Sequence, residues 1–165
     1  MYSRNELGKY FQEHYKTGLG VEVGVQYGYF FKEILKDWKG ILKGVDSWDG
    51  YESSYQQAIE NVGAENLIRK TSVEASKDFK DESLDFVYID ADHQYNSVKE
   101  DIEAWFPKVR KGGIVSGHDY VTYENYGVIK AVDEFAEKNG YKVELTEVDM
   151  NPALNFNFIS WYFKK

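Results

Sequence analysis

The hydrophobic and polar positions along the chain repeat the pattern of a strand followed by a helix. Apolar runs of strand length lie at residues 19–25, 41–46, 67–70, 84–90 and 114–117. Most are followed by segments in which apolar residues recur every three to four positions, which is typical of an amphipathic helix. Residues 141–148 and 155–163 alternate as two strands with a short link. The pattern predicts a doubly wound α/β fold, with a mostly parallel sheet, helices on both faces and a C-terminal antiparallel hairpin.

Local signals predict where several of these elements begin and end. Helical spacing over residues 3–15 predicts a short helix lying against the first strand. Ser97 and Glu100 have the spacing of a capping box, so we expect the next helix to start there and to stop at Pro107. The glycine pair at 112–113 predicts a turn that leads into the fifth strand.

The first strand leads through Gly24 and Gly28 directly into a helical pattern. Neither glycine carries a Cβ, so the chain can bend there and a ligand can approach the backbone. The helix that follows directs free N–H groups at the same place, which favours a nucleotide-like ligand. Gln26 stands where the dinucleotide fingerprint has its middle glycine, and this disfavours NAD. An ordinary turn is the alternative interpretation.

Polar residues also follow the second and third predicted strands. Asp46 ends the second strand about twenty residues after the glycine turn, a spacing at which an acid binds ribose hydroxyls in nucleotide-binding α/β domains. A plain strand-end cap is the alternative for Asp46. Ser72 and Val73 follow the third strand and could contact a base, while Thr71 or Ser72 could instead cap a short helix.

An acidic cluster is predicted where the fourth and fifth strands end, at Asp90, Asp92, His93, His118 and Asp119. Carboxylates that converge in this way repel one another unless a positive charge is bound. Oxygen ligands with an imidazole suit Mg²⁺ or Mn²⁺, which could hold a substrate hydroxyl while a free carboxylate or imidazole removes its proton. The alternative is that the histidines cap helices and the aspartates simply close their strands.

Composition narrows the classes of function. With 165 residues, 42% hydrophobic and 17% aromatic, the chain can bury one sizeable core, so we expect a single domain over residues 1–165. A net charge of −8 and a pI near 4.9 argue against nucleic acid as a partner. Cysteine is absent, which excludes disulfides and thiolate metal sites. The sequence shows neither a signal peptide nor a membrane-spanning run, so no membrane is expected and the cytoplasm is the default location.

A family resemblance rests on these same segments: residues 22–29 with their two glycines, Asp46, the stretch 88–93, the stretch 111–115, and the His118-Asp119-Tyr120 triplet. Together they resemble the Rossmann-fold S-adenosylmethionine-dependent methyltransferases. The most similar branch is that of O-methyltransferases with divalent-cation sites, which act on small molecules and sugars. The resemblance covers roughly residues 19–120.

The resemblance implies a set of roles for individual residues. Glu22 and Gly24 would lie beside the methionine part of S-adenosylmethionine, and Gly28 would also contact the cofactor. Asp46 would bind its ribose, and Ser72 and Val73 would border its adenine. Asp90 would serve both cofactor and metal, with His118 and Asp119 completing a site for Mg²⁺ or Mn²⁺. Asp92 or His93 would be the catalytic base. His118 departs from the carboxylate usual in the family, which weakens the case for a metal.

The methyl acceptor is not readable from the sequence beyond a small-molecule or glycosidic hydroxyl. The first 18 residues are short for this branch, in which longer amino-terminal helices build the acceptor pocket. The pocket is therefore expected either to be open, or to be completed by a second subunit in a homodimer or by the aromatic segments 48–55 and 120–126. A catalytically inactive nucleotide-binding or assembly module with the same fold is the competing hypothesis.

Overall fold

The computed structural model describes residues 3–147 and 159–165. The strands are β1 (Leu19–Val23), β2 (Ile41–Asp46), β3 (Leu67–Arg69), β4 (Leu84–Ile89), β5 (Val109–Gly117), β6 (Glu144–Leu145) and β7 (Trp161–Lys164). The helices are α1 (Leu7–Tyr15), α2 (Tyr29–Asp37), α3 (Glu52–Val62), α4 (Ser72–Ser76), α5 (Tyr95–Trp105) and α6 (Val128–Asn139). Short 3₁₀ turns lie at Arg4–Glu6, Ala64–Asn66 and Phe106–Lys108.

Within the described residues, the strands form one seven-stranded sheet in the order β3-β2-β1-β4-β5-β7-β6. The first five strands pair in parallel, whereas β7 runs antiparallel to both β5 and β6. Parallel strands need crossover connections, and the helices between them supply these. The predicted fold class is confirmed, including its C-terminal antiparallel hairpin. Residues 148 and 155–158 of the predicted hairpin lie outside the described residues.

Two apolar layers cover the two faces of the sheet. One face carries Val21, Val23 and the residues of α5 and α6 that pack on them. The other face carries Phe86 and Tyr88 of β4, which pack against α1 and α2. Every residue of β4 is buried, as expected for a central parallel strand that is covered on both sides.

The amino-terminal helix α1 packs against α2 and against β4. A Cβ added at Gly8 would lie 2.4 Å from the backbone oxygen of Ile34, so the two helices meet with no side chain between them. Three residues further on, the Phe11 ring stacks on the Phe86 ring of β4, with centroids 3.7 Å apart. This packing places the preceding 3₁₀ turn close to the carboxyl ends of the strands.

Two local predictions were wrong. Helix α5 starts at Tyr95, so Ser97 lies inside the helix rather than capping it, and its hydroxyl donates to Asp92 at 2.6 Å. The glycine pair at 112–113 lies inside β5, not in a turn; Gly112 has a φ of +76° and the pairing with β4 shifts register nearby. A glycine can signal a bulge as well as a turn, and the sequence alone did not separate the two.

In the part of the chain that the structure describes, no helix has the length and apolar character needed to cross a membrane.

Candidate functional site

A groove of about 1100 Å³ opens at the carboxyl ends of β1, β2, β3 and β4. In an open α/β sheet this edge is where ligands bind. Its lining includes most of the predicted site residues, namely Glu22, Gly24, Asp46, Ser72, Val73, Asp90, Asp92, His93 and Asp119. The structure thus brings residues from segments far apart in the sequence into one cavity.

Gly24 is required by the packing of two loops. Its φ is +90°, and an added Cβ would lie 1.9 Å from the backbone oxygen of Asp90. Gly24 donates its N–H to Val45 at 2.8 Å, which fixes the turn against β2. The absent side chain therefore makes room for the loop after β4, whereas the sequence suggested room for a ligand. Gly28, with a φ of +79°, is the residue from which α2 begins.

Asp46 organises the loops around it. Its Oδ2 accepts hydrogen bonds from the backbone N–H groups of Val25 at 3.0 Å and Gln26 at 2.9 Å, and its Oδ1 accepts one from Trp48 at 2.9 Å. These contacts support the strand-end role that the sequence left open. The carboxylate also lines the groove, and Oδ1, which accepts a single hydrogen bond, has a further lone pair available to a ligand.

Glu22 is a buried acid facing the groove. The residue is only 1% exposed, and its Oε2 has no hydrogen-bond partner within residues 3–147 and 159–165. Burial raises the pKa of Glu22 well above its usual value, the charge of Asp90 adds to this, and Arg4 opposes it. A buried polar atom without a partner needs an explanation, and a bound ligand is one.

Ser72 and Val73 form the start of α4 at the far wall of the groove. Thr71 and Glu74 make the capping box of this helix, so Thr71 is the cap. Ser72 Oγ instead accepts a hydrogen bond from Trp105 Nε1 at 2.9 Å. Val73 is 37% exposed and has surface available for an apolar contact.

Asp101 is a groove residue that the sequence analysis missed. It lies on α5 and is only 5% exposed. Burial raises its pKa to about 6, although a hydrogen bond with Ser72 acts in the opposite direction. Its position six residues inside a helical pattern gave no sign that it would face the cavity.

Arg4 is the second missed residue. Its Nη2 lies 2.5 Å from Asp90 Oδ2, across 86 positions of sequence. The guanidinium carbon also stands 4.2 Å from the centroid of the Phe30 ring, a cation–π contact. Nothing in the polar amino-terminal segment marked this arginine as different from any surface arginine.

Asp119 lies between two imidazoles. His93 Nε2 is 2.5 Å from its Oδ2 and His118 Nδ1 is 3.2 Å from its Oδ1. The contact with His93 is an ion pair when the imidazole is protonated. Burial acts to raise the pKa of Asp119, but hydrogen bonding and charge from His118 and His93 outweigh it, and the pKa falls well below its usual value.

His93 is held in a defined orientation. The Asp119 carboxylate, followed by Asp90, raises the pKa of His93 to about 9. One face of the imidazole stacks on the Tyr126 ring, with centroids 4.4 Å apart and an interplanar angle of 10°. The backbone oxygen of His93 accepts a hydrogen bond from Gly127 at 2.8 Å.

The Asp92 carboxylate accepts two hydrogen bonds from residues at the start of α5. Ser97 Oγ donates to Oδ2 at 2.6 Å and the Gln94 N–H donates to Oδ1 at 3.2 Å. The Ser97 hydrogen bond is the main reason that the pKa of Asp92 is lowered. Asp92 is therefore a weaker base than His93.

Whether a divalent cation could bind at this cluster depends on the ion pairs that its carboxylates already make. Ligand atoms of Asp90, His93 and Asp119 lie within 4.8 Å of one another. However, Asp90 Oδ2 is bound to Arg4, and Asp119 faces His93 and His118. In this arrangement the residues do not fit a divalent cation, because each carboxylate already faces a basic group.

Comparison with known proteins gives one family and one relative. Residues 21–120 match the family described as "Methyltransferase domain". The uncharacterized protein y4gI of Sinorhizobium fredii is 32% identical over 155 residues, covering 84% of this chain. The chain spans only 16% of the length of that relative.

Solved structures with the same fold include several methyltransferases. The precorrin-6y C5,15-methyltransferase of Geobacter metallireducens has a TM-score of 0.73 at 14% identity, over 98% of this chain and 87% of its own. The O-methyltransferase of Bacillus cereus, solved in complex with SAH, has a TM-score of 0.72 at 16% identity, over 98% and 80%. A phosphoethanolamine N-methyltransferase of Haemonchus contortus, in complex with S-adenosyl-L-methionine, has a TM-score of 0.64 at 16% identity, over 97% and 52%. At these identities the likeness establishes the class I methyltransferase fold and leaves the acceptor atom open.

Proposed function

Because the chain belongs to the methyltransferase-domain family, we propose that it transfers a methyl group from S-adenosylmethionine to a hydroxyl oxygen of a small-molecule or sugar acceptor. The observation that carries the proposal is the single groove, which joins the glycine turn and Asp46 to the cluster of Asp90, His93 and Asp119. A methyltransferase needs such a continuous cavity, because donor and acceptor must meet in line.

The cofactor would occupy the half of the groove beside the glycine turn. Its methionine part would lie near Gly24 and Glu22, where an ammonium group would give the orphan Oε2 of Glu22 a partner. Its ribose would reach Asp46, and its adenine would lie against Ser72 and Val73. Burial raises the pKa of Glu22, and an ammonium group bound beside it would favour the ionised carboxylate.

The acceptor would occupy the other half, with His93 as the base. Neutral His93 would take the proton from the acceptor hydroxyl as the oxygen attacks the methyl carbon. The carbon–sulfur bond breaks, S-adenosylhomocysteine leaves, and the imidazolium later gives its proton to solvent. Asp119 favours this direction because it stabilises the charged imidazole.

Asp92 is the less suitable candidate for the base. Two hydrogen bonds from its own loop and helix occupy its carboxylate, and its pKa is lowered. We assign it the role of shaping the start of α5.

A divalent cation is not part of this proposal. Mg²⁺ or Mn²⁺ at Asp90, His118 and Asp119 stays a prediction from the sequence, since the ion pairs described above would have to open first.

Two tyrosines lie next to His93, beside the acceptor half. Tyr126 stacks on His93, and the Tyr123 ring meets Tyr126 edge to face at 5.3 Å. Aromatic surface of this kind suits a planar phenol or the apolar face of a sugar ring.

Calorimetric titration with S-adenosylhomocysteine (SAH) tests the cofactor half. We expect saturable binding of SAH. NAD is the negative control, and we expect no binding of it. Absence of SAH binding at millimolar concentration would contradict the proposal.

The acceptor half is tested with methyl-labelled S-adenosylmethionine and a panel of phenols and glycosides. Label transferred to oxygen supports the proposal. Label on nitrogen or carbon only would contradict the O-methyl assignment, and SAH binding with no transfer to any acceptor would favour the inactive module.

A further inference from the structure

Arg4 reaches the centre of the acidic cluster from outside the region shared with the family. It belongs to the 3₁₀ turn before α1, which Ser3 and Glu6 close as a capping box. The family match begins only at residue 21. Arg4 therefore reaches the groove from outside the segment that matches the family.

An ion pair and aromatic contacts hold the Arg4 guanidinium in place. Nη2 binds Asp90 Oδ2 at 2.5 Å, and the charges of Glu22 and Asp119 also act on the guanidinium. Its plane lies over the Phe30 ring, and the Tyr88 ring centroid is 5.7 Å away. Arg4 Nε is buried and has no hydrogen-bond partner in the described parts of the chain, so donor capacity remains.

We propose that the Arg4 guanidinium is the resident cation of this site, taking the charge-balancing place beside Asp90 that a divalent ion would otherwise hold. The inference rests on the proposed function only in treating the groove as the acceptor site. The unused N–H on Nε gives the guanidinium a donor for an acceptor oxygen. The guanidinium thereby supplies positive charge without metal coordination.

The charges explain why the arginine and a divalent ion exclude one another. A divalent ion within reach of Asp90 would stand a few ångströms from the guanidinium and from His93. Like charges at such distances repel strongly in a partly buried site. Arg4 must therefore leave before a metal can bind tightly.

Titration of the apoprotein with Mn²⁺, followed by the electron paramagnetic resonance signal of free Mn²⁺, tests this directly. Wild type is expected to bind Mn²⁺ weakly. Arg4→Gln removes the positive charge and is expected to tighten binding about tenfold or more. Arg4→Lys keeps the charge and is expected to behave like wild type.

Arg69→Gln is the matched control. It removes the same charge from an arginine that is 39% exposed and paired with Glu52, away from the cluster. It should leave Mn²⁺ binding unchanged. Equal tightening in Arg69→Gln and Arg4→Gln would show an effect of net charge only and would overturn the proposal.

Asp90→Asn provides a second test if Arg4→Gln fails to fold. With Arg4 still in place, Asp90→Asn should leave the weak Mn²⁺ binding unchanged, because the Asp90 carboxylate is paired with Arg4 and does not bind the ion. Tight Mn²⁺ binding by wild type that Asp90→Asn abolishes would overturn the proposal. SAH binding, measured on the same samples, reports on the proposed function separately.

Discussion

The two halves of the groove are built by different kinds of contact. On the cofactor side, Asp46 holds backbone N–H groups of two loops, and Gly24 binds the backbone of β2. On the acceptor side, side-chain ion pairs hold the residues together, Arg4 with Asp90 and His93 with Asp119. The first half is therefore fixed by chain geometry, and the second by the balance of charges.

This difference predicts different sensitivities. Backbone hydrogen bonds respond little to pH near neutrality, whereas ion pairs weaken when a partner titrates or when salt screens the more exposed pairs. Cofactor affinity should thus be the steadier property and turnover the more variable one.

The largest expected effect breaks the cofactor half. Gly24→Ala places a Cβ 1.9 Å from the Asp90 backbone oxygen at a φ of +90°, so we expect a loss of about 4 kcal/mol in the free energy of unfolding and loss of SAH binding. Urea denaturation and calorimetry measure both.

Gly50→Ala is the control for backbone conformation alone. Gly50 has a φ of +75° but nothing within 4 Å of an added Cβ, so a cost of about 1 kcal/mol is expected. Equal losses at both glycines would contradict the packing argument.

The next effect breaks the acceptor half. His93→Gln removes the proposed base and should lower kcat roughly 100-fold or more, with SAH affinity nearly unchanged. A comparable loss of SAH affinity would show that the two halves are not separate.

The pH dependence sharpens the same assignment. With a pKa of about 9, His93 is mostly protonated at neutral pH, so turnover should rise as pH increases towards 9.

The stability contributed by His93 should change with pH in the opposite direction. The raised pKa contributes stability that is fully present below about pH 6.5 and is lost as pH rises through about 9. Denaturation of wild type and His93→Gln across this window should show the difference shrinking with pH.

A smaller effect is expected from Asp46→Asn. The amide has one acceptor oxygen where the carboxylate had two, so at least one backbone N–H of the two loops loses its partner. We expect a loss of about 1–2 kcal/mol in stability and roughly tenfold weaker SAH binding. Unchanged SAH affinity would leave Asp46 with a structural role only.

The smallest effect is expected from Asp92→Asn. The amide oxygen can still accept a hydrogen bond from Ser97 or Gln94, and we expect a fall in kcat of about threefold at most. If this variant lost more activity than His93→Gln, the roles of the two residues would be reversed.

Much of the fold could be predicted from the sequence because its signals are local. The apolar run of β4 and the glycines around α2 each act within a few residues. The start of α5 was predicted wrongly because the spacing of Ser97 and Glu100 fits a capping box, whereas the helix begins at Tyr95. Such errors move a boundary without changing the fold.

The acceptor half was only partly predictable. The pairing of β4 with β5 brings Asp90 and Asp119 together, and the sequence analysis expected an acidic cluster where these two strands end. Arg4 could not be predicted, because its contact spans 86 positions and depends on how α1 packs. The orphan atom of Glu22 also becomes visible only when burial is known.

The close approach of α1 and α2 at Gly8 has a consequence for how the chain tolerates change. No side chain separates the two backbones there, and Phe11 anchors the same helix to Phe86. A bulkier residue at position 8 would tilt the helix and withdraw the guanidinium that precedes it by a single turn. The charge balance at the rim of the groove thus depends on a steric fit at the first turn of α1, and a change of side-chain size at position 8 would alter turnover.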